Sequence, residues 1–251
     1  MTFIDLFSDT ARSYAATRPT YPDALFARLA ALAPGTSRAW DCGTGNGQAA
    51  IGLARWFDQV DATDASADQI ANAMTHERIR YAVAPSEASG LADSSIDLVA
   101  VAQALHWFDR PRFYDEVRRV LKARGLLAVF GYSWFYVSTE IDPLVDECLL
   151  RPIAGSWADC TQLLWHGYRT IEFPFDEIAP PRLAIHVEWS LHQLVAYYLT
   201  WSATRTRLKL HGEAFLSDAV VRLQAAWGDP TRVRSVVMPL AIRLGTVKNA
   251  A

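Results

Sequence analysis

The chain is poor in the residues that build metal and disulfide sites. Its 251 residues include three cysteines, Cys42, Cys148 and Cys160, and six histidines. An odd number of cysteines without metal-ligand spacing points to a reducing compartment. No H-x-x-x-H or H-E-x-x-H arrangement occurs, so no metal is expected. Any Gly-Lys pair is also missing, which excludes the phosphate loop G-x-x-x-x-G-K-[ST]. No apolar run approaches the roughly 18 residues of a membrane span. The start, Met1-Thr2-Phe3-Ile4-Asp5, lacks a basic segment followed by an apolar core. Together these absences lead to the expectation of a soluble, cytoplasmic protein.

Strong net charge is missing too. At -3 the chain offers no general reason to expect nucleic acid or an anionic membrane as a partner. The charge is uneven, however. From Thr204 to Ala251 eight Lys/Arg face three Asp/Glu, leaving that segment at +5 and the rest at -8. A solvated helix face accounts for this most simply, and an anionic substrate is the alternative. With 51% apolar and 20% charged residues, the composition is that of an ordinary globular protein. The length suits one large domain or a domain with a cap.

What the chain does have is Arg38-Ala39-Trp40-Asp41-Cys42-Gly43-Thr44-Gly45-Asn46-Gly47-Gln48. A short apolar run delivers an acidic residue, three glycines follow at alternate positions, and Ala49–Ala54 reads as a helix start. Glycines in such a strand-turn-helix allow positive φ and a close backbone approach to a ligand at the helix N-terminus. The dinucleotide fingerprint G-x-G-x-x-G is not met: Gln48 occupies the third position and the third glycine comes early, at Gly47.

Along the rest of the chain, helical spacing covers about 6–16 and 22–30, ended by Pro19 and by Pro34-Gly35. If the first helix persists, Tyr14 and Arg18 share a face. Strands are expected at Gln59–Asp64, Arg80–Ala84, Ser95–Ala102 and Leu126–Phe130. Asp64 lies about 20 residues beyond the glycines, where a second strand end can offer a carboxylate to ribose hydroxyls. Ser66 and Gln69 match a capping box. The almost continuous apolar run at 95–102 reads as a central parallel strand, delivering Gln103-Ala104-Leu105-His106-Trp107-Phe108-Asp109. Pro111 then opens an amphipathic helix that Gly125 should close.

From Tyr132 aromatics accumulate among prolines, as in a cap or pocket wall. A strand at 183–189, helices at 191–209 and 213–227, and a last strand at 235–244 broken at Pro239 complete the reading. Strands alternating with helices imply an α/β doubly wound sheet whose ligands sit beyond the carboxyl ends of the strands. The glycine turn, Asp64, Ser86 and Gln103 would all lie along that rim.

With these residues in hand, the chain resembles the class I S-adenosylmethionine-dependent methyltransferases, and within them the type 11 group that includes trans-aconitate methyltransferases. The likeness rests on Asp41–Gly47, on Asp64, on Ser95–Val99 ahead of Gln103, and on Arg124-Gly125-Leu126 before the fifth strand. The resemblance implies a Rossmann-like, seven-stranded, mostly parallel sheet with N-terminal helices and a C-terminal cap insertion. It would form one domain over 1–251: helical cover 1–34, cofactor-binding core 35–135, cap 136–182, and completion of sheet and helices over 183–251.

It further implies S-adenosylmethionine as cofactor. Gly43, Gly45 and Gly47 would approach its amino-acid part, Asp41 would hold the turn, and Asp64 with neighbouring Ala65 would meet the ribose. Ser86 would lie at the adenine edge, where Pro85 replaces a common acidic residue and Glu87 is the possible substitute. Gln103 would sit near the methionine portion. Tyr14 and Arg18, with Tyr21 and Pro22, match the subgroup's N-terminal pattern, in which the first helix closes over the cofactor. The acceptor would be a small molecule, with an anionic carboxylate among the candidates. Tyr21, Trp107 and Trp134 are candidate pocket residues and His106 a candidate general base. A non-catalytic S-adenosylmethionine-binding protein would need the same rim, and nothing in the pattern specifies an oligomeric state.

Overall fold

A computed structural model describes residues 18–247. The expected helix at 6–16, with Tyr14, lies outside the described residues. The chain divides into two compact units. One is a sheet unit, formed by Thr20–Ser133, Gln162–Ala184 and 239–247. The other is a helical unit, formed by residues 18–19, Trp134–Thr161 and Ile185–Met238.

The sheet unit starts with α1 (Asp23–Leu32), which buries Leu25, Phe26 and Leu29. Next come β1 (Arg38–Cys42), α2 (Gln48–Leu53), β2 (Gln59–Asp64), α3 (Ala67–Ala71), β3 (Ile79–Val83) and β4 (Ile96–Ala102). Helix α4 (Arg110–Val120) and strand β5 (Leu121–Gly131) follow, and the short β6 (Asp176–Ile178) and β9 (Ala241–Thr246) return to the sheet. The strand order is β3-β2-β1-β4-β5-β9-β6. The first five strands are parallel and β9 runs antiparallel to both β5 and β6. All but the last residue of β4 are buried, as its unbroken apolar run requires of a strand covered on both faces. Because the chain moves outward from β1 to β3 and then returns to place β4 on the other side of β1, the order reverses between β1 and β4. Crevices of doubly wound sheets open at that reversal.

Five local expectations are corrected. Gly125 does not close α4: the helix ends at Val120, and Leu121 is already extended at φ -68°, ψ 137°. The β4–β5 register slips between Ile96↔Leu121 and Leu98↔Leu126, and Arg124 takes the left-handed conformation at φ 61°. Gly125 is there for space, since a Cβ would lie 2.8 Å from the Leu121 side chain and 2.9 Å from the Lys122 carbonyl. The capping box after β2 is only half formed. Gln69 N donates to Ser66 Oγ at 3.3 Å, but Ser66 N donates to Asp64 Oδ1 at 2.9 Å instead of to Gln69.

The expected strand at 235–244 is two strands in different sheets. β8 (Arg234–Pro239) pairs with β7 (Ala184–Trp189) in a separate two-stranded sheet, whereas β9 joins the main one. Pro239 marks the change, as a residue without an N–H suits the end of a strand. The stretch 136–182 is not wholly cap either, because it supplies β6.

In the helical unit, the helix expected over 191–209 is broken. Helix α5 (Leu191–Leu199) starts with a complete capping box between Ser190 and Gln193. At its end the Thr200 hydroxyl turns back onto the Tyr197 carbonyl at 2.7 Å, and Trp201 is extended at φ -71°, ψ 138° before α6 (Ser202–His211) begins. The break places the Trp201 ring among Trp134, Trp157 and Tyr197, at centroid distances of 6.2, 5.6 and 5.6 Å. Helix α7 (Ala214–Trp227) matches the expected 213–227. No helix of the described residues is long and apolar enough to cross a membrane.

Candidate active site

β1 carries a wholly buried Asp41 to the rim of the sheet unit. The turn after it is fastened to the end of β2: Gly43 N and Thr44 N both donate to the Thr63 carbonyl, at 2.8 and 2.9 Å, and Gly45 N donates to Asp64 Oδ2 at 2.9 Å. All three glycines have positive φ, 70°, 56° and 91°. Space matters as much as conformation at two of them. A Cβ on Gly43 would lie 2.7 Å from the Ala104 Cβ and 3.0 Å from the Phe108 ring. One on Gly47 would run into the Tyr81 hydroxyl, which itself donates to the Met74 carbonyl at 2.7 Å. The loop after β4 therefore lies directly on the glycine turn.

Asp41 accepts from the Thr44 hydroxyl at 2.5 Å, while its buried Oδ1 meets no hydrogen-bond partner among the described residues. Burial pushes its carboxyl up to about 6, against the lowering effect of Thr44. Asp64 accepts one backbone N–H on each oxygen, from Gly45 and from Ser66, and each oxygen keeps acceptor capacity. Ala65 beside it is exposed. Ser86 donates to Glu87 Oε1 at 2.8 Å, and Asp109 N reaches the same oxygen at 3.2 Å, so Glu87 links this segment to the loop after β4.

Gln103 carries two costs at once. Its backbone is left-handed at φ 58°, and its buried side-chain Oε1 is unpartnered among the described residues while Nε2 donates to the Tyr132 carbonyl at 2.9 Å. Strain and an unmet buried acceptor at one residue point to a functional position.

His106 follows three residues later, in a single 3-10 turn (Leu105–Trp107). It is 8% exposed, and its Nδ1 lies 2.9 Å from the Tyr168 hydroxyl. Burial alone lowers its pKa to about 4, so the ring is neutral near pH 7. Trp107 next to it is 64% exposed. Tyr21 is buried against Phe130, with centroids 4.9 Å apart. Thus Asp41, the glycines, Asp64, Gln103 and His106 come together in the sheet unit. Arg18 and Trp134 belong to the other unit, where Arg18 is exposed and Trp134 meets Trp157 edge-on at 6.4 Å. Among the described residues no cluster of His, Cys, Asp and Glu could hold a metal ion.

The sequence reading missed Tyr81 and Tyr168. Tyr168 had no local signal beyond its place after Gly167, because its contact with His106 spans 62 residues.

A family model described as a methyltransferase domain matches residues 40–129, the segment that holds the whole rim. A solved structure from Anaeromyxobacter dehalogenans, described as a type II methyltransferase, is 40% identical with a TM-score of 0.88, covering 92% of this chain and 99% of that one. A methyltransferase of Aspergillus candidus is 30% identical over 239 residues, 84% of this chain and 70% of that one. The chain belongs to the class I S-adenosylmethionine-dependent methyltransferases. A Dictyostelium discoideum protein described as a methyltransferase is 29% identical over 229 residues, covering 90% of this chain and 87% of that one.

The family implies S-adenosylmethionine, and the residues of this methyltransferase fit it. The glycine turn leaves its backbone bare of side chains at three positive-φ positions, Asp64 has acceptor capacity to spare, and among the described residues Gln103 Oε1 is a buried acceptor without a donor.

Proposed function

We propose that this methyltransferase moves the methyl group of S-adenosylmethionine onto a small acceptor that carries a carboxylate. The observation that supports the donor half is the convergence of the glycine turn, Asp64 and the unpartnered Gln103 Oε1 on one rim. In this reading Gly43, Gly45 and Gly47 let the backbone approach the amino-acid part, and Asp41 holds the turn through Thr44. Gln103 Oε1 accepts from the ammonium group, Asp64, beside Ala65, accepts from the ribose hydroxyls, and Ser86 with Glu87 lies at the adenine edge. Tyr21 and Trp107 contribute to the acceptor side.

The bound cofactor supplies a methyl group already activated on a sulfonium. The protein's part is then largely positioning, worth up to roughly 7–11 kcal/mol when the nucleophile is held in line. A carboxylate acceptor is supported by the exposed Arg18 guanidinium, which can take a carboxylate bidentately, and by the basic segment from Thr204.

Calorimetry with S-adenosylhomocysteine tests the donor half, and folded protein that releases no binding heat would overturn it. Asp64→Ala should weaken that binding by about 1–3 kcal/mol through lost hydrogen bonds; unchanged affinity removes Asp64 from the site. Transfer of labelled methyl to a panel of small acids, alcohols and amines tests the acceptor half. Labelling confined to alcohols or amines would refute the carboxylate.

A further inference from the structure

The turn that presents Tyr168 to His106 is built with unusual care. Gly167 and Tyr168 are consecutive left-handed residues, at φ 60° and 57°. Tyr168 is 1% exposed, and its N–H donates to the Leu163 carbonyl at 2.7 Å. Its carbonyl accepts from Arg243 Nη1 at 2.6 Å, and the same nitrogen holds the Ile171 carbonyl at 3.1 Å. Arg243 is in turn fixed on β9 by Glu177, at 2.7 Å, and by the Phe173 ring, 4.4 Å below its guanidinium. The Tyr168 ring lies nearly parallel to the imidazole, at 22° with centroids 6.2 Å apart. A strained, twice-anchored backbone thus aims one hydroxyl at one ring nitrogen.

That contact decides the tautomer. A phenol hydroxyl is more acidic than a neutral imidazole N–H, and an imidazole nitrogen accepts far better than a phenol oxygen, so the favourable arrangement has Tyr168 donating to Nδ1. The ring proton then resides on Nε2. Among the described residues, Nε2 makes no hydrogen bond.

We propose that Tyr168 is a positioning residue that locks His106 as the Nε2–H tautomer, so that His106 serves the acceptor as a hydrogen-bond donor to a carboxylate oxygen and not as a general base. This rests on the reading of the chain as a methyltransferase of small acids and narrows its substrates to acceptors that are already ionised. Such a carboxylate has no proton to lose: its oxygen forms the new O–C bond as the donor's C–S bond breaks, and the electron pair stays on sulfur. The product is a methyl ester, and no base is consumed. The ring's neutrality supports the assignment. Among the described residues, Tyr168 is the titratable group hydrogen-bonded to the ring, and burial keeps the imidazole neutral well below pH 7.

The test is a long-range 1H–15N spectrum of the histidine side chains of the intact chain, with His106 assigned by its loss in His106→Asn. The expected result at pH 7 is a protonated Nε2 and an unprotonated Nδ1, with a mixture of tautomers in Tyr168→Phe. A protonated Nδ1, or an imidazolium, overturns the proposal, and the wild-type spectrum alone decides this if the variant does not fold. In turnover, Tyr168→Phe should raise KM for carboxylate acceptors roughly three- to tenfold, the share of one hydrogen bond, with kcat and S-adenosylhomocysteine affinity little changed. If cofactor binds but methyl is accepted only by hydroxyls or amines, this inference fails while the methyltransferase assignment stands. Absent cofactor binding would instead strike the donor reading.

Discussion

Gly43→Ala is expected to bind S-adenosylhomocysteine roughly 10- to 100-fold more weakly than the parent chain, a loss of about 1.4–2.8 kcal/mol. Two effects combine. At φ 70° an alanine adopts a left-handed conformation that costs about 1–2 kcal/mol. Its Cβ would also stand 2.7 Å from that of Ala104 and 3.0 Å from the Phe108 ring. Ala104 has no side-chain torsion with which to retreat, so the loop after β4 must shift, carrying Gln103 and His106 with it.

Gly90→Ala separates the two effects. Gly90 has φ 73° with nothing among the described residues within 4 Å of an added Cβ, so it carries the conformational cost without the collision. Thermal melts should show both variants destabilised, and calorimetry should show weakened binding in Gly43→Ala alone. Equal affinities in the two would place the glycine turn outside the binding site.

Glu116→Ala should destabilise the fold by about 1–3 kcal/mol, the cost of leaving buried donors unsatisfied. Glu116 is buried on α4 and accepts four hydrogen bonds: from Ser89 N at 2.8 Å, Ser89 Oγ at 2.5 Å, and Arg119 Nε and Nη2 at 2.8 Å each. Removing the carboxylate strands the buried Ser89 donors. Arg119 keeps Asp93 and the Leu91 carbonyl, which limits the loss.

The Arg119 hydrogen bonds, aided by Ser89, draw the Glu116 carboxyl down to about 2 from its ordinary 4.5, against burial, which raises it. Because the folded value is the lower one, the unfolded chain takes up the proton first as pH falls. The stabilisation is therefore complete above about 4.5 and is lost between there and about 2. Urea unfolding from pH 7 to 2 should show this decline in the parent chain and a flatter one in Glu116→Gln. Parallel curves for the two proteins would mean that this carboxylate does not carry the acid sensitivity.

Much of the rim proposed to hold the donor was legible from the residues alone because each part has a local signature. An apolar run ending in Asp41, glycines at alternate positions, an acid about 20 residues on at Asp64, and a fully apolar strand ahead of Gln103 are all patterns of near neighbours. Backbone sterics and the burial of a parallel strand impose them directly. The break at Trp201 was not legible, since apolar spacing resumes on its far side and the interruption comes from where the Trp201 ring packs. Nor was the division at Pro239: a proline can end a strand or bulge it, and only the partners available to 234–239 and 241–246 decide that they enter different sheets. β6, three residues with little burial, carries no periodicity to read.

The sequence by itself therefore determined the fold class and the residues proposed to face the methyl donor, because short-range geometry dictates them. Tertiary structure alone decided what stands against them. It set Ala104 and Phe108 on Gly43, the Tyr81 hydroxyl over Gly47, and Tyr168 against His106 across 62 residues of chain. These contacts depend on how distant segments pack, and no periodicity encodes which side chain will occupy the space beside another. His106 shows the consequence: its identity suggested a base, while the burial and the hydroxyl that only the fold provides make it a neutral ring with a defined face.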